Sequence, residues 1–498
     1  MEKLSLTAIA ALAIAALAAG CGKSSGGDAG ADPAATLPVA PIYVSVDVGE
    51  GSERDNLGAL INKVGGAGTT GKLRDSIQKS FDDAEGDTKV DFAKDIEPWL
   101  GEEAGAAITS VTDKDADFAL AVASKDTGKT EDFINKVKGS GDGEKSYEGT
   151  DYIIDKDDDA AAGVVGDYLV VARNEPSFKK AVDAEKGESL ADEPKFKEAQ
   201  DESGDESVAF LYADPKGLLK VLQSVPGVAG PQAQALKQLP GLNSDQPVTA
   251  SLEASETEAV FQTTAAATPE AKKQAESQPD LGSAPEDTFL ALASGSAGGS
   301  IEEQLKTLPQ QQRDLVDQQL KAQTGLTIDG LLGWIDSFQL TARGTSVTAL
   351  GVGITLGSND PAQSKKAVLA LAKLAREQAK GQIEVKISGD EVTIGSPQLP
   401  GEVTIDSSGE EVKITYGDQG SGELSGSDAY ESAVESLDGG KAAFFVDPAP
   451  ITNLIAGVAG SSPQFAQAKP ILEKFSYMVA GSKIDGDNAV GRFVIGVK

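Results

Sequence analysis

The chain has 498 residues, with 78 acidic side chains against 44 basic ones, a net charge of −34, no histidine and a single cysteine. That inventory leaves no ligand set for zinc, copper, haem or iron–sulfur clusters, no imidazole-based triad and no disulfide framework, so neither a metal nor a cofactor is expected. A charge this negative is repelled by phosphate backbones, so nucleic acid is not an expected partner, and like charge favours a soluble monomer.

The first 20 residues read as a signal peptide. Lys3 precedes an apolar run from Leu4 to Leu17 that ends in small residues, and a run of that length falls short of the roughly 20 apolar residues a membrane span requires. Ala18-Ala19-Gly20-Cys21 closes it. This tetrapeptide is similar to the lipobox of bacterial lipoproteins, with Ala18 standing where leucine is usual. The resemblance implies that Cys21 carries acyl chains such as palmitate and becomes the new amino terminus. Each buried CH2 of such a chain adds about 0.8 kcal/mol of membrane affinity. Residues 21–38 then read as a lipidated cysteine and flexible tether, rich in Gly, Ser, Ala and Pro and without apolar periodicity.

Folded structure is expected from residue 39, where Ile42-Tyr43-Val44-Ser45-Val46 alternates as a strand. Beyond it, landmarks recur in order. Ile96 to Gly101 aligns with Ile328 to Gly333 at an offset of 232, Leu190 and Phe196 align with Leu424 and Tyr430 at 234, and Ala250 aligns with Ala480 at 230. A strand delivering Asp214-Pro215 matches one delivering Asp447-Pro448. The spacing predicts two tandem homologous repeats, residues 39–267 and 285–498, joined by a polar linker over 268–284.

Each repeat reads as an antiparallel, meander-rich sheet with helices packed on it, which makes the fold class α+β. Gly166-Asp167 and Gly389-Asp390 supply two-residue hairpin turns, and Asp360-Pro361 supplies an N-cap followed by a first-turn proline. Trp99 and Trp334 are expected in cores, where buried aromatics ordinarily pack.

Several stretches imitate catalytic or binding motifs and fail in detail. Gly66 to Lys72 fits a phosphate loop until Leu73 replaces the Ser or Thr that would hold magnesium, and a helical segment precedes it where the motif needs a strand. Ser76-Ile77-Gln78-Lys79 and Ser177-Phe178-Lys179-Lys180 satisfy the acylating Ser-x-x-Lys pattern without its downstream partner motifs. Asp155 to Asp159 opens like a calcium loop, but Ala160 occupies the turn position and Gly166 the bidentate position. A solvated acidic loop is the expectation there, with weak calcium binding left open.

Together the lipobox, Pro98-Trp99-Leu100-Gly101, Ser189-Leu190-Ala191-Asp192-Glu193-Pro194 before a helix, and the following Asp214-Pro215 resemble a family of uncharacterised bacterial envelope lipoproteins, a domain of unknown function. The family brings no activity and no site residues. Two functions are therefore expected from the residues. The first is a non-enzymatic binding or scaffolding lipoprotein on the extracytoplasmic face of the cell membrane, with the membrane and an envelope protein as partners. The alternative is a carrier of lipid or another hydrophobic ligand in an apolar cavity of about 300 to 1,000 Å3.

Overall fold

The structure is a computed structural model. It describes residues 32–49, 52–83, 89–111, 116–139, 141–156, 158–203, 207–224, 244–296, 298, 309–344, 346, 349–379, 383–396, 401–460 and 462–498. Contacts divide the chain into two units, Met1–Ala266 and Ala267–Lys498.

The first unit holds β1 (Ile42–Asp47), β2 (Leu100–Val111), β3 (Ala116–Ser124), β4 (Gly143–Tyr147), β5 (Thr150–Ile154), β6 (Ala161–Val165), β7 (Tyr168–Ala172), β8 (Ser207–Ala213), β9 (Val248–Ala254) and β10 (Glu258–Ala266). They pair antiparallel in the order β4-β5-β6-β7-β3-β2-β1-β8-β9-β10. The second unit holds β11 (Thr288–Gly295), β12 (Ile335–Arg343), β13 (Gly351–Ser358), β14 (Glu384–Ser388), β15 (Glu391–Gly395), β16 (Val403–Asp406), β17 (Glu411–Gly417), β18 (Lys441–Val446), β19 (Phe475–Asp485) and β20 (Asn488–Val497). Their order is β14-β15-β16-β17-β13-β12-β11-β18-β19-β20, again antiparallel throughout.

The class is α+β, but the expected architecture of two tandem homologous repeats, each an antiparallel meander-rich sheet, is corrected. The twenty strands among the described residues are assigned to one antiparallel sheet. Short matching landmarks record local chemistry such as caps and turns; they carry no information on which edges pair.

Two segment boundaries also differ. The tether expected through residue 38 ends earlier, because Asp32 caps a 3-10 turn over Pro33–Ala35, and Ala34 and Leu37 are fully buried. The linker expected over 268–284 carries a helix, Pro269–Ser277, capped by Thr268, and a 3-10 turn, Leu281–Ser283, whose Leu281 is fully buried. Polar composition there describes a surface helix, and one buried leucine suffices to dock the turn.

Local chemistry explains the elements. Asp126, Asn174, Asp360 and Asp447 each cap a helix by accepting from a backbone N–H of its first turn, and proline follows the last two directly. Gly166, Gly389 and Gly486 adopt φ of +56°, +64° and +58° in the two-residue hairpins β6–β7, β14–β15 and β19–β20, a region that favours glycine. Both tryptophans are buried, and each donates its indole N–H to a helix carbonyl, Asp95 or Leu331, at 2.7 Å.

In the first unit one sheet face is closed by an aromatic core. Phe196 meets Tyr43 at 5.2 Å and Tyr212 at 5.1 Å in edge-to-face geometry, the arrangement ring quadrupoles prefer. In the second unit the corresponding close packing is a row of cross-strand neighbours, Ala291, Phe445, Val479 and Val494, with Tyr430 set edge-on to Phe445 at 5.1 Å.

Candidate functional site

Side chains alternate across a strand, so the residues next to that closed row point to the opposite face. There, register places Leu340, Leu292, Phe444, Ala480 and Phe493 side by side on β12, β11, β18, β19 and β20. A second row two residues away, Ala342, Leu290, Val446, Met478 and Ile495, runs parallel to it. At about 4.8 Å between strands the patch extends about 19 Å across the sheet.

Every member of both rows is at least partly exposed, and Leu292 and Phe493 reach 36% and 37%. At one end Ala367, Val368 and Ala372 of the helix Pro361–Gln378 pack with Trp334 against Val392 and Val412. The first unit repeats the exposure on a smaller scale: Val44 of β1 pairs with Leu211 of β8, at 37% and 36% exposed. An antiparallel sheet with one wet face ordinarily alternates apolar and polar residues; this one stays apolar where it is wet. Contiguous exposed apolar surface is uncommon on a monomeric protein.

A second feature is a cleft of about 510 Å3 in the first unit, lined by Pro41, Glu193, Lys195, Tyr212, Asp214 and Lys220 among others. Asp214 is committed twice. It accepts from the Gly217 N–H at 2.8 Å, capping the helix Pro215–Ser224, and it pairs with Lys195 at 3.8 Å. Burial pushes the Tyr212 phenol up to about 12. The cleft has a mixed lining, Val39, Ala40 and Pro41 beside an ion pair, unlike the wholly apolar cavity that a lipid carrier requires.

These features belong to a chain that matches a known family model over residues 5–475, described as protein of unknown function (DUF3352). The chain belongs to that family. No curated protein matches it. Among solved structures, crystal form I of TP0453 is 13% identical, covering 49% of this chain and 81% of that one with a TM-score of 0.27. Crystal form III gives 12%, 47%, 79% and 0.26. At these scores the likeness carries no argument.

The motif-like stretches of this DUF3352 chain fall as follows. Cys21 lies outside the described residues. Gly66 to Gly68 join two helices, Ser52–Gly65 and Thr69–Asp83, so no strand precedes the phosphate-loop look-alike. The Ser76 hydroxyl donates to the Lys72 carbonyl, and the Ser177 N–H is held by the Asn174 cap. In the acidic loop, Asp158 accepts from the Ala160 N–H at 3.3 Å, and its carbonyl accepts from Arg173 at 2.6 Å. Among the described residues no group of three acids converges as a metal site, nor is any helix long and apolar enough to cross a membrane.

The apolar face was missed by sequence reasoning. The available signal was the absence of polar residues at alternate positions of Leu290 to Ala293 and Ala442 to Val446, a pattern a doubly buried strand produces equally well.

Proposed function

We propose that this DUF3352 chain is a lipid-anchored protein on the extracytoplasmic face of the cell membrane that binds an envelope partner without catalysing a reaction. The anchor is Cys21, supported by the lipobox-like Ala18-Ala19-Gly20-Cys21. The observation that carries the binding role is the apolar row from Leu340 through Leu292 to Phe493. Removing such a face from water gains about 25 cal/mol per Å2, which gives an apolar partner its driving force.

The alternative, a carrier of lipid or other hydrophobic ligand, draws on the same rows. An open sheet face favours a partner that brings its own apolar surface over a ligand that must be enclosed.

Two measurements separate these readings. In cells fed an alkyne fatty acid, the wild-type chain should take up label and sediment with membranes while Cys21→Ser does neither; equal labelling overturns the anchor. Photo-crosslinkers placed at Leu292 and Phe493 should capture one discrete protein that a crosslinker at exposed Glu411 does not. Native mass spectrometry showing an organic-extractable adduct, with no protein captured, transfers the role to the carrier.

A further inference from the structure

Two stretches with a distinctive local pattern, Ser189 to Pro194 and Asp214-Pro215, meet at the cleft of the first unit. Glu193 closes the 3-10 turn Leu190–Asp192, and Lys195 stands second in the helix Pro194–Ser203. Asp214 caps the helix Pro215–Ser224, which carries Lys220. All four line the cleft of about 510 Å3, and Val39, Ala40 and Pro41 add an apolar wall.

Packing sets the shape of this cleft. Tyr212 lines it, is 2% exposed and meets Phe196 edge-on at 5.1 Å. Gly217 brings its helix against the entry to β1: a Cβ there would stand 2.3 Å from the Pro41 side chain and 2.9 Å from the Asp214 carboxylate. The charges inside are only partly satisfied. Asp214 accepts from the Gly217 N–H at 2.8 Å, while Lys195 stays 3.8 Å away, beyond hydrogen-bond reach. Among the described residues the Glu193 carboxylate and the Lys220 ammonium have no ion pair or hydrogen bond.

Nor does the local fold require these charges, as the second unit demonstrates. There Ser427 closes the 3-10 turn Leu424–Gly426, Ala429 stands second in the helix Asp428–Glu435, and Tyr430 beside it meets Phe445 edge-on. Asp447 follows Phe445 by two residues and caps the helix Pro448–Ala459, with Asn453 six residues further on. The same local framework thus forms with Ser427, Ala429, Phe445 and Asn453 where the cleft has Glu193, Lys195, Tyr212 and Lys220. Three of the four charges are dispensable to it.

We propose that this cleft binds a small zwitterion, a free amino acid or a short peptide: Glu193 receives the ammonium group, Lys220 and Lys195 receive the carboxylate, and the Val39 to Pro41 wall takes an apolar side chain. Charge balance decides the class. Two acids against two lysines sum to zero here, in a chain of net charge −34. A simple anion meets the two carboxylates, and a simple cation meets the two ammonium groups. A wholly apolar ligand takes all four charges out of water without pairing them, which is costly. Only a ligand carrying both signs satisfies both, and the volume lies within the range of about 300 to 1,000 Å3 for small-molecule sites.

This site belongs to the first unit. It depends on neither the lipid anchor nor the apolar rows of the second unit, so either can fail without the other.

The test is isothermal titration of the chain from residue 21, with Cys21→Ser, against L-alanine, dialanine and trialanine up to ~10 mM, each also in N-acetylated and C-amidated form. At least one free form should bind saturably, and blocking either of its ends should weaken it by at least ~10-fold, the loss of a charge-assisted hydrogen bond. Glu193→Gln should weaken the free form similarly and remove the penalty for acetylation, and Lys220→Met should reduce the penalty for amidation. Both side chains are at least partly exposed, so substitution there leaves the core in place. Binding of alanine alone assigns the site to free amino acids, and binding of the longer forms assigns it to peptides. No saturable binding, equal binding of free and blocked forms, or binding unchanged in both variants overturns the site.

Discussion

In the second unit, adjacent residues on the same strands meet opposite fates. Ala291, Phe445, Val479 and Val494 are buried on one sheet face, and Phe445, Val479 and Val494 are wholly inaccessible. Their neighbours Leu292, Phe444, Ala480 and Phe493 are equally apolar and remain partly wet on the other. Composition cannot separate the two rows. What separates them is accessibility: Tyr430 closes the first, while the second keeps part of its surface accessible and is packed over at the Trp334 end. The first row stabilises the fold. The second keeps an apolar surface that folding alone would not select, because exposed strand positions gain nothing from Phe or Leu until something covers them.

The sharpest way to break this comparison is to truncate one ring on each face. Phe445→Ala should cost about 3–5 kcal/mol in unfolding of the second unit, the range for emptying a packed aromatic site. Phe493→Ala should cost about 1 kcal/mol or less, as for a part-exposed position without a core role. Urea denaturation followed by hydrogen exchange, which reads each unit separately, decides it. Equal costs would mean that both faces are cores.

A closed face should also resist added volume. Gly105→Ala forces a methyl to within 2.5 Å of the Tyr43 hydroxyl, and overpacking of this kind costs about 1–3 kcal/mol. An unchanged melting temperature would mean that the aromatic core around Tyr43, Phe196 and Tyr212 can yield.

How much of this was legible in the sequence follows from the range of the interactions involved. Caps and turns are local, so Asp360-Pro361, Asp447-Pro448, Gly166-Asp167 and Gly389-Asp390 announced helix starts and hairpins that the structure contains. Trp99 and Trp334 were placed in cores by chemistry alone. Strand-edge pairing is non-local, and the single sheet was invisible for that reason. Leu37 was hidden by its neighbours, since one buried leucine in a Gly, Ser and Ala background has no periodicity to reveal it. The apolar face was hidden because exposure depends on what is absent from a surface. Glu103 was indistinguishable among 78 acids; only folding sets it opposite Asp47 on the neighbouring strand.

The exposed row can be sharpened as a binding surface by making it polar. Leu292→Ser with Phe493→Ser should change stability by roughly 1 kcal/mol or less, and it should abolish both the photo-crosslinked product and the fluorescence of an added apolar dye such as ANS. Loss of stability without loss of dye binding would return these residues to the core and the dye to another surface.

The smallest expected effect concerns charge, and it runs opposite to that of the half-buried Glu103, which burial pushes up to about 7. Hydrogen bonds from Lys145, Lys179 and Tyr152 hold the Glu175 carboxyl down to about 2, at the partly exposed start of the helix Glu175–Lys186. A depressed carboxyl contributes stability that is present above pH 4.5 and lost as pH falls toward 2, whereas Glu103 contributes on the acid side and loses it toward 7. Exposed ion pairs are screened, so the Glu175 contribution should be small and should shrink further in 1 M salt. Melting curves of Glu175→Gln against wild type at pH 2.5 and 6 read it: the variants should converge at the lower pH and differ slightly at the higher one. A difference that persists at pH 2.5, or that survives salt unchanged, would show that Glu175 acts through packing with Tyr152 and that even the rim of the closed face is held by contact and not by charge.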